Sequence, residues 1–133
     1  MALPTKIFDK YWVYHGDQSD LVDTIDIGKW MLFYTKTKID SKWRELCDLF
    51  DNNKLSGVLL LKCSTSRPTS NNNDSYVIIL YCNNSSNKKE ILNIGNNLIP
   101  YIQDHPKKKI YYKTDTQTRM GVLSVNYTYS LEM

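Results

Sequence analysis

The chain has 133 residues, 41% of them hydrophobic and 23% charged, with a formal net charge of +3 at pH 7. This length predicts a single domain, residues 1–133, that is long enough to bury a hydrophobic core. The mild positive charge fits an anionic ligand, but a generic nucleic-acid-binding domain is usually more basic.

Runs of apolar and aromatic residues predict a sheet, with strands at 11–16, 29–35, 57–64, 76–82, 109–114 and 121–131. Residues 1–9 are expected to form a short lead-in. Residues 65–75 are polar and show no periodicity, so a mobile loop is expected there.

Two helices are predicted between these strands. The first runs from about Asp40 to Asn53, with Asp40 as its N-cap and apolar residues at helical spacing. The second follows Asn87, which outlines a capping box with Glu90, and Pro100 is expected to kink or end it. Strand-helix-strand therefore occurs twice, which predicts the α+β class: a mostly antiparallel or mixed sheet with two helices packed on one face.

The cysteines and the N-terminal sequence bear on compartment and cofactors. Cys47, Cys63 and Cys82 form no Cys-x-x-Cys pair, so no zinc site is indicated, and each lies in an apolar run typical of buried thiols. No apolar run resembles a signal peptide or is long enough to span a membrane. We therefore expect a cytoplasmic or nuclear protein, not secreted, with no metal, cofactor or membrane partner.

The sheet face without helices is expected to be used or poorly covered. Aromatic residues of the predicted strands are its candidates: Trp12, Tyr14, Trp30, Tyr34, Tyr76, Tyr111 and Tyr112. Packing is the commoner role for such rings, but a flat ligand would also bind there.

Cations and hydroxyl groups near the ends of three strands form a candidate phosphate site. Its members are Lys29 in "GKW", Lys62, Thr65 and Arg67 in "KCSTSR", and Lys113, Asp115, Thr118 and Arg119 in "YYKTDTQTR". Lysine, arginine and hydroxyl groups together bind phosphate oxygens well. Lys62 lies within an apolar run, so its charge needs a partner or must reach the open face. The alternative is that each cation is a solvated strand end.

Histidine adds possible proton-transfer chemistry. His15 ends a predicted strand, and Asp17 is placed to orient it, although a plain turn histidine is the alternative. His105 precedes Pro106 in a turn and is expected at the surface. The chain has no GxSxG motif, P-loop or GxGxxG motif. A histidine and lysines without a metal suit phospho-elimination, or phosphodiester cleavage by an adjacent 2′-hydroxyl.

Four blocks resemble a known family in order and rough spacing: "GKWMLFYTKTKIDSKW", "LKCSTS", "VIILYC" and "IYYKTDTQTRMG". They are similar to the family of the basophilic leukemia-expressed protein over about residues 28–121. The resemblance implies the fold of the mRNA cap-binding initiation factor, a curved antiparallel sheet backed by helices. Close relatives are labelled phosphothreonine lyase domain proteins, which implies β-elimination by a lysine base and a histidine acid. The resemblance singles out Lys29, Trp30, Asp40, Trp43, Lys62, Ser64, Thr65, Tyr81, Tyr112, Lys113, Asp115, Thr118 and Gly121.

Three functions remain open on these grounds. The first is a metal-independent enzyme acting on a nucleotide, cyclic dinucleotide, RNA phosphodiester or phosphopeptide, with His15 and Lys113 or Lys29 as acid and base. In it Lys62, Arg67 and Arg119 would bind phosphate, and Trp30 and Tyr112 would stack a base. The second is a nucleotide or cap-like binding module on the aromatic face, without chemistry. The third is an interaction protein. Phosphate or nucleotide recognition is favoured, with binding ahead of catalysis.

Overall fold

The computed structural model describes residues 1–21, 26–69, 74–115 and 128–133. Its helices and strands, in chain order, are β1 (Trp12–His15), β2 (Gly28–Thr35), α1 (Lys36–Asp51), β3 (Val58–Ser64), β4 (Ser75–Cys82), α2 (Lys88–Leu98), β5 (Lys109–Thr114) and β6 (Tyr129–Glu132). The predicted strands match these positions. Most of the last predicted strand, 121–131, lies outside the described residues, and β6 contains its end.

The described strands form one antiparallel sheet in the order β1-β3-β4-β2-β5-β6. β2 lies near the centre and pairs with β4 along its whole length, from Gly28 opposite Cys82 to Thr35 opposite Ser75. The sheet is curved, and α1 and α2 pack on one of its faces. The predicted α+β class, with a sheet backed by two helices, is confirmed.

The main core lies between the sheet and these helices. Alternate residues of β2, Trp30, Leu32 and Tyr34, point into it and are at most 2% exposed. The indole of Trp30 donates a hydrogen bond to the carbonyl of Ile91 in α2 over 3.2 Å. Gly95 lets α2 approach closely, because a Cβ there would come within 2.6 Å of the Trp30 ring. The close packing of α2 on β2 thus depends on the large side chain of Trp30 and on the absence of a side chain at Gly95.

This core corrects the expected position of four aromatic residues. Trp30, Tyr34, Tyr76 and Tyr112 belong to the helix-covered core and do not lie on the open face. Trp30 and Tyr112 are both 0% exposed and face each other across β2 and β5, with ring centroids 5.3 Å apart. Neither ring can stack a ligand on the opposite side of the sheet.

Of the two N-caps predicted from the sequence, the structure contains the one at Asn87 and not the one at Asp40. The side chain of Asn87 accepts a hydrogen bond from the backbone N–H of Glu90 over 3.2 Å, which confirms the predicted cap of α2. α1, however, begins at Lys36, and Asp40 lies inside it. The carboxylate of Asp40 instead accepts hydrogen bonds from the backbone N–H, over 3.0 Å, and the hydroxyl of Thr5. The predicted cap therefore anchors the N-terminal segment.

The lead-in and the start of the predicted loop are packed together. Thr5 and Ile7 are each 7% exposed. The backbone N–H of Ser66 donates to the carbonyls of Pro4 and Ile7, over 3.2 and 3.0 Å. The start of the predicted 65–75 loop is therefore hydrogen-bonded, while residues 70–73 lie outside the described residues. No helix in the described ranges is long and apolar enough to cross a membrane.

Candidate functional site

The open face is the sheet face opposite α1 and α2. The strand register places one row of side chains across it from β3 to β5: Leu60, Tyr81, Lys29 and Lys113. The next row runs from β1 to β5: Tyr14, Lys62, Ile79, Met31 and Tyr111. Two strand-end cations, Lys29 and Lys113, are thereby direct neighbours, and Lys62 lies one row away. We call Lys29, Lys62 and Lys113 the lysine cluster.

An apolar floor supports this cluster. Ile27, Leu60, Ile79 and Tyr81 are buried together on the open face, at most 7% exposed. Partly buried residues packed against them are Trp12, Leu21, Met31 and Val77. The ammonium groups of Lys29 and Lys62 thus lie beside apolar surface, where a charge interacts more strongly with a ligand than it does in water.

Lys29 is the most deeply placed of the three, with its side chain 9% exposed. Its Nζ lies 3.8 Å from Oδ1 of Asp115. Burial lowers the pKa of Lys29 and the neighbouring charge of Lys113 lowers it further, while Asp115 opposes the shift. An anion bound here would offset the repulsion between the two lysines.

Lys62 is surrounded by aromatic rings. Its Nζ lies 4.1 Å from the ring centroid of Trp12, 5.4 Å from that of Tyr81 and 5.9 Å from that of Tyr14. Burial lowers the pKa of Lys62, and the charge of Lys29 adds to this effect. Within the described ranges Lys62 has no carboxylate in ion-pair contact, so the rings are its main partners.

Among the described residues, positive charge is in excess around the cluster. Asp115 is the carboxylate paired with it in the described part of the chain, against three ammonium groups. The backbone N–H of Asp115 donates to the carbonyl of Ile27 over 3.0 Å, which holds this acid at the end of β5. Burial also raises the pKa of Tyr81, so its phenol stays protonated and can donate to an anion.

His15 is not part of this site. Its pairing partner in β3 is the core residue Leu61, and its ring makes edge contacts with Trp43 and Phe50, at centroid distances of 6.4 and 5.9 Å. Nε2 of His15 lies 2.8 Å from Oδ1 of Asp51 in α1. His15 is therefore on the helix side of the sheet, away from Lys29 and Lys113.

The orienting role expected of Asp17 is also absent from the described contacts. Asp17 accepts hydrogen bonds from the backbone N–H and hydroxyl of Ser19, over 2.9 and 2.7 Å. It shapes the turn after β1, and the acid that contacts His15 comes from α1.

The side chains of Thr65 and Arg67 also lie outside the lysine cluster and contact the N-terminal segment. The hydroxyl of Thr65 donates to the carbonyl of Lys10. The guanidinium of Arg67 donates to the carbonyl of Asp9 over 2.9 Å and lies 4.3 Å from the ring centroid of Tyr11. Both side chains tie the N-terminal segment to the end of β3. Thr118 and Arg119 lie outside the described residues.

The structure thus brings together five of the predicted site residues: Lys29, Lys62, Tyr81, Lys113 and Asp115. Sequence reasoning missed the pairing of Lys62 with Trp12 and Tyr14. The signal was the spacing of Trp12 and Tyr14, which puts both rings on one face of β1, together with a lysine inside an apolar run of the neighbouring strand. No group of three or more potential metal ligands is found among the described residues.

The fold is similar to that of eIF4E proteins solved with cap ligands. Two similar solved structures are C. elegans eIF4E-3 in complex with the 4E-binding protein Mextli and a cap analog, at 14% identity and a TM-score of 0.61, and Ascaris suum eIF4E-3 with m7G cap, at 17% identity and a TM-score of 0.59. Each match covers 79% of this chain and 57% of the other, so this chain spans little more than half the length of either protein.

The family is set by a second comparison. The model of the basophilic leukemia-expressed protein Bles03 family matches residues 22–121, and the chain belongs to this family. None of the curated proteins matches it.

Proposed function

We propose that this protein is a nucleotide-binding module that holds the phosphate groups of a nucleotide or cap-like ligand on its open face and carries out no chemistry on them. The observation that carries the proposal is the lysine cluster, paired with one carboxylate in the described part of the chain, beside the aromatic rings of Trp12, Tyr14 and Tyr81.

The three lysines of the cluster differ in how exposed their side chains are. Lys62 and Lys113 are partly exposed and would contact phosphate oxygens directly. Lys29 is buried and would attract the phosphate electrostatically without contacting it. Burial lowers the pKa of Lys29 and Lys62, so each ammonium group is less well stabilised here than in water. Phosphate would favour those charged forms, which makes an anion the chemistry that this site suits best.

The neighbouring rings supply a place for a base. Trp12 is half-buried and Tyr14 is 38% exposed, so both present ring surface near the lysine cluster. Bases stack on such rings with little sequence preference. Two proteins of similar fold were solved with a cap analog and with m7G cap, which supports a nucleotide-type ligand for this fold.

Catalysis is left out of the proposal because the expected acid and base are on different faces. His15 contacts α1, whereas Lys29 and Lys113 lie on the open face. Phosphodiester cleavage and lyase chemistry on phosphothreonine both need a proton donor near the lysine base. In the described part of the chain, the open face offers no histidine for that role.

The test is a titration of nucleoside triphosphates, cap analogue, cyclic dinucleotides, short RNA and a phosphothreonine peptide, with EDTA present. Tryptophan fluorescence and calorimetry would report affinity, and phosphorus NMR would report any product. We expect nucleotide binding without a new phosphorus signal. Binding of the phosphopeptide alone, or formation of any product, would overturn the proposal.

Matched lysine variants place the ligand. Lys62→Met and Lys113→Met should each weaken nucleotide binding by about tenfold, because each loses a charge-assisted hydrogen bond to phosphate. Lys54→Met is the control, since Lys54 is exposed just after α1 on the helix side. Equal affinities in all three variants would place the ligand away from the lysine cluster.

A further inference from the structure

The contact between Lys62 and Trp12 has a consequence for how a ligand enters. The ammonium lies 4.1 Å from the Trp12 ring centroid, with Tyr81 and Tyr14 also within 6 Å. It therefore covers one face of the indole. A base cannot stack on that surface while the ammonium group is there.

The ammonium group of Lys62 also has an alternative position, closer to the other lysines of the cluster. Its charge interacts with those of Lys29 and Asp115, so its ammonium lies within electrostatic reach of the rest of the cluster. Four rotatable carbon-carbon bonds allow a lysine ammonium to swing by several ångströms at little cost. A phosphate bound beside Lys113 and Lys29 would compete with the indole for this ammonium, and phosphate is the stronger partner.

We propose that Lys62 couples phosphate binding to base stacking: without ligand its ammonium covers the Trp12 ring, and a bound phosphate draws it away so that a base takes its place. This inference rests on the proposed function and deepens it. It makes Lys62 the residue by which the site admits nucleotides and discriminates against nucleosides.

The coupling follows from what each ligand gains. A nucleoside gains stacking on Trp12 but must break the contact between Lys62 and the ring, and it gives the ammonium no new partner. A nucleotide breaks the same contact and supplies phosphate oxygens for Lys62. The two halves of a nucleotide therefore bind better together than their separate affinities predict.

The experiment compares a nucleoside with its 5′-triphosphate. Guanosine and GTP would be titrated into the wild type, Lys62→Met and Lys113→Met, with adenosine and ATP as a second pair. Methionine keeps an unbranched apolar side chain but has no charge to hold over the ring. Thermal unfolding and circular dichroism would verify that each variant is folded, and Lys62→Gln provides a second uncharged replacement.

The two lysine variants should behave differently. In Lys62→Met we expect nucleoside affinity to rise by about threefold or more, because the ring is uncovered, and triphosphate affinity to fall by about tenfold. In Lys113→Met triphosphate affinity should fall similarly while nucleoside affinity stays unchanged. A general loss of positive charge would affect both variants alike.

A second readout needs no base at all. Inorganic pyrophosphate added to the wild type should change tryptophan emission, because Lys62 leaves the Trp12 ring. The change should be absent from Trp12→Phe, which keeps the buried Trp30 and Trp43 as background, and from Lys62→Met.

The outcomes separate this inference from the proposed function. If GTP and ATP bind the wild type but guanosine and adenosine bind it and Lys62→Met equally, Lys62 does not control access to Trp12 and the inference fails alone. If no nucleotide, nucleoside or pyrophosphate binds at millimolar concentration, the proposed function fails and the inference with it.

Discussion

The backbone N–H of Phe33 donates a hydrogen bond to Nε2 of His105 over 3.0 Å. This contact lies just beyond the part of β2 that pairs with β5, which ends at Met31. Nδ1 of the same ring contacts the carbonyl of Lys107 over 2.7 Å and must donate to it. The ring is therefore held neutral, and it takes the place of a strand partner for β2.

This arrangement makes stability depend on pH. Burial lowers the pKa of His105, and the nearby charge of Lys107 lowers it further. The hydrogen bond between His105 and the Lys107 carbonyl raises this pKa, and so does the charge of Asp104, but burial is the largest effect. The unfolded chain then binds the proton more readily than the folded protein, so stability falls as pH drops below about 6.5 towards the folded pKa. Above that range the stabilisation is fully present.

Urea unfolding at about pH 7.5 and about pH 5.5 checks this expectation. The wild type should lose stability between the two values, and His105→Gln, which does not titrate, should lose less. At about pH 7.5 the variant should be less stable by about 1–3 kcal/mol, since the N–H of Phe33 loses a buried acceptor. An equal loss on acidification in both proteins would assign the effect to other groups.

The Gly95→Ala substitution tests the fit between α2 and β2. Alanine favours a helix over glycine by about 1 kcal/mol, but its Cβ would meet the Trp30 ring at 2.6 Å. The ring is fully buried, and Cδ1 of Leu131 would lie even closer to the added Cβ, at 2.5 Å. We therefore expect a net loss of about 1–3 kcal/mol in the free energy of unfolding from overpacking. Asn96→Ala, at the next and exposed position, should be neutral or slightly stabilising.

The Lys42→Ala substitution tests a buried ammonium. Lys42 is 3% exposed, and its Nζ donates to Glu45 over 2.8 Å and to the Tyr101 carbonyl over 2.8 Å, and lies 3.0 Å from Asp104. Its removal should cost about 2–4 kcal/mol, because these acceptors lose a common partner. Lys38 pairs with the same Asp104 over 3.2 Å but is 48% exposed, so Lys38→Ala should cost less than about 1 kcal/mol. Similar losses in both variants would contradict the role assigned to burial.

The aromatic residues show which part of the fold the sequence could predict. Strand positions were predictable because each buried strand is a short apolar run bounded by polar residues, and the cap at Asn87 is a local signal. The face of each ring was not predictable. "KWMLFYT" is apolar on both faces, and the face that α1 and α2 cover is fixed only by the path of the chain in three dimensions.

The candidate site shows the same limit. Lys29 and Lys113 are 84 positions apart, and only the register of β2 with β5 makes them neighbours. Asp40 looked like a cap because nothing nearby in sequence reveals Thr5 as its partner. Composition and motif thus indicated a phosphate-directed set of residues. Which of them share a face depended on strand pairing, and among the described residues Lys29, Lys62, Tyr81, Lys113 and Asp115 do.

Two conservative substitutions separate the core from the open face. Tyr112→Phe removes a hydroxyl that lies 2.7 Å from the buried Ser85 hydroxyl, so stability should fall by about 1–2 kcal/mol while nucleotide affinity stays unchanged. Trp12→Phe should do the reverse, with weaker nucleotide binding and a smaller change in stability. Denaturant titration and calorimetry on both variants measure the two quantities. Loss of affinity in Tyr112→Phe without loss of stability would contradict the assignment of the Tyr112 hydroxyl to the core.

The His15→Ala substitution decides between binding and catalysis. In the wild type, the imidazole ring of His15 contacts Asp51, Trp43 and Phe50 of α1, on the side of the sheet away from the lysine cluster. We expect nucleotide affinity to remain unchanged and stability to fall by less than about 1 kcal/mol, since the pair with Asp51 is partly exposed. Lys113→Ala, measured alongside, should weaken binding. If His15→Ala instead abolished turnover of any phosphate compound, the site of chemistry would have to lie on the helix side, and the lysine cluster would lose its assigned role.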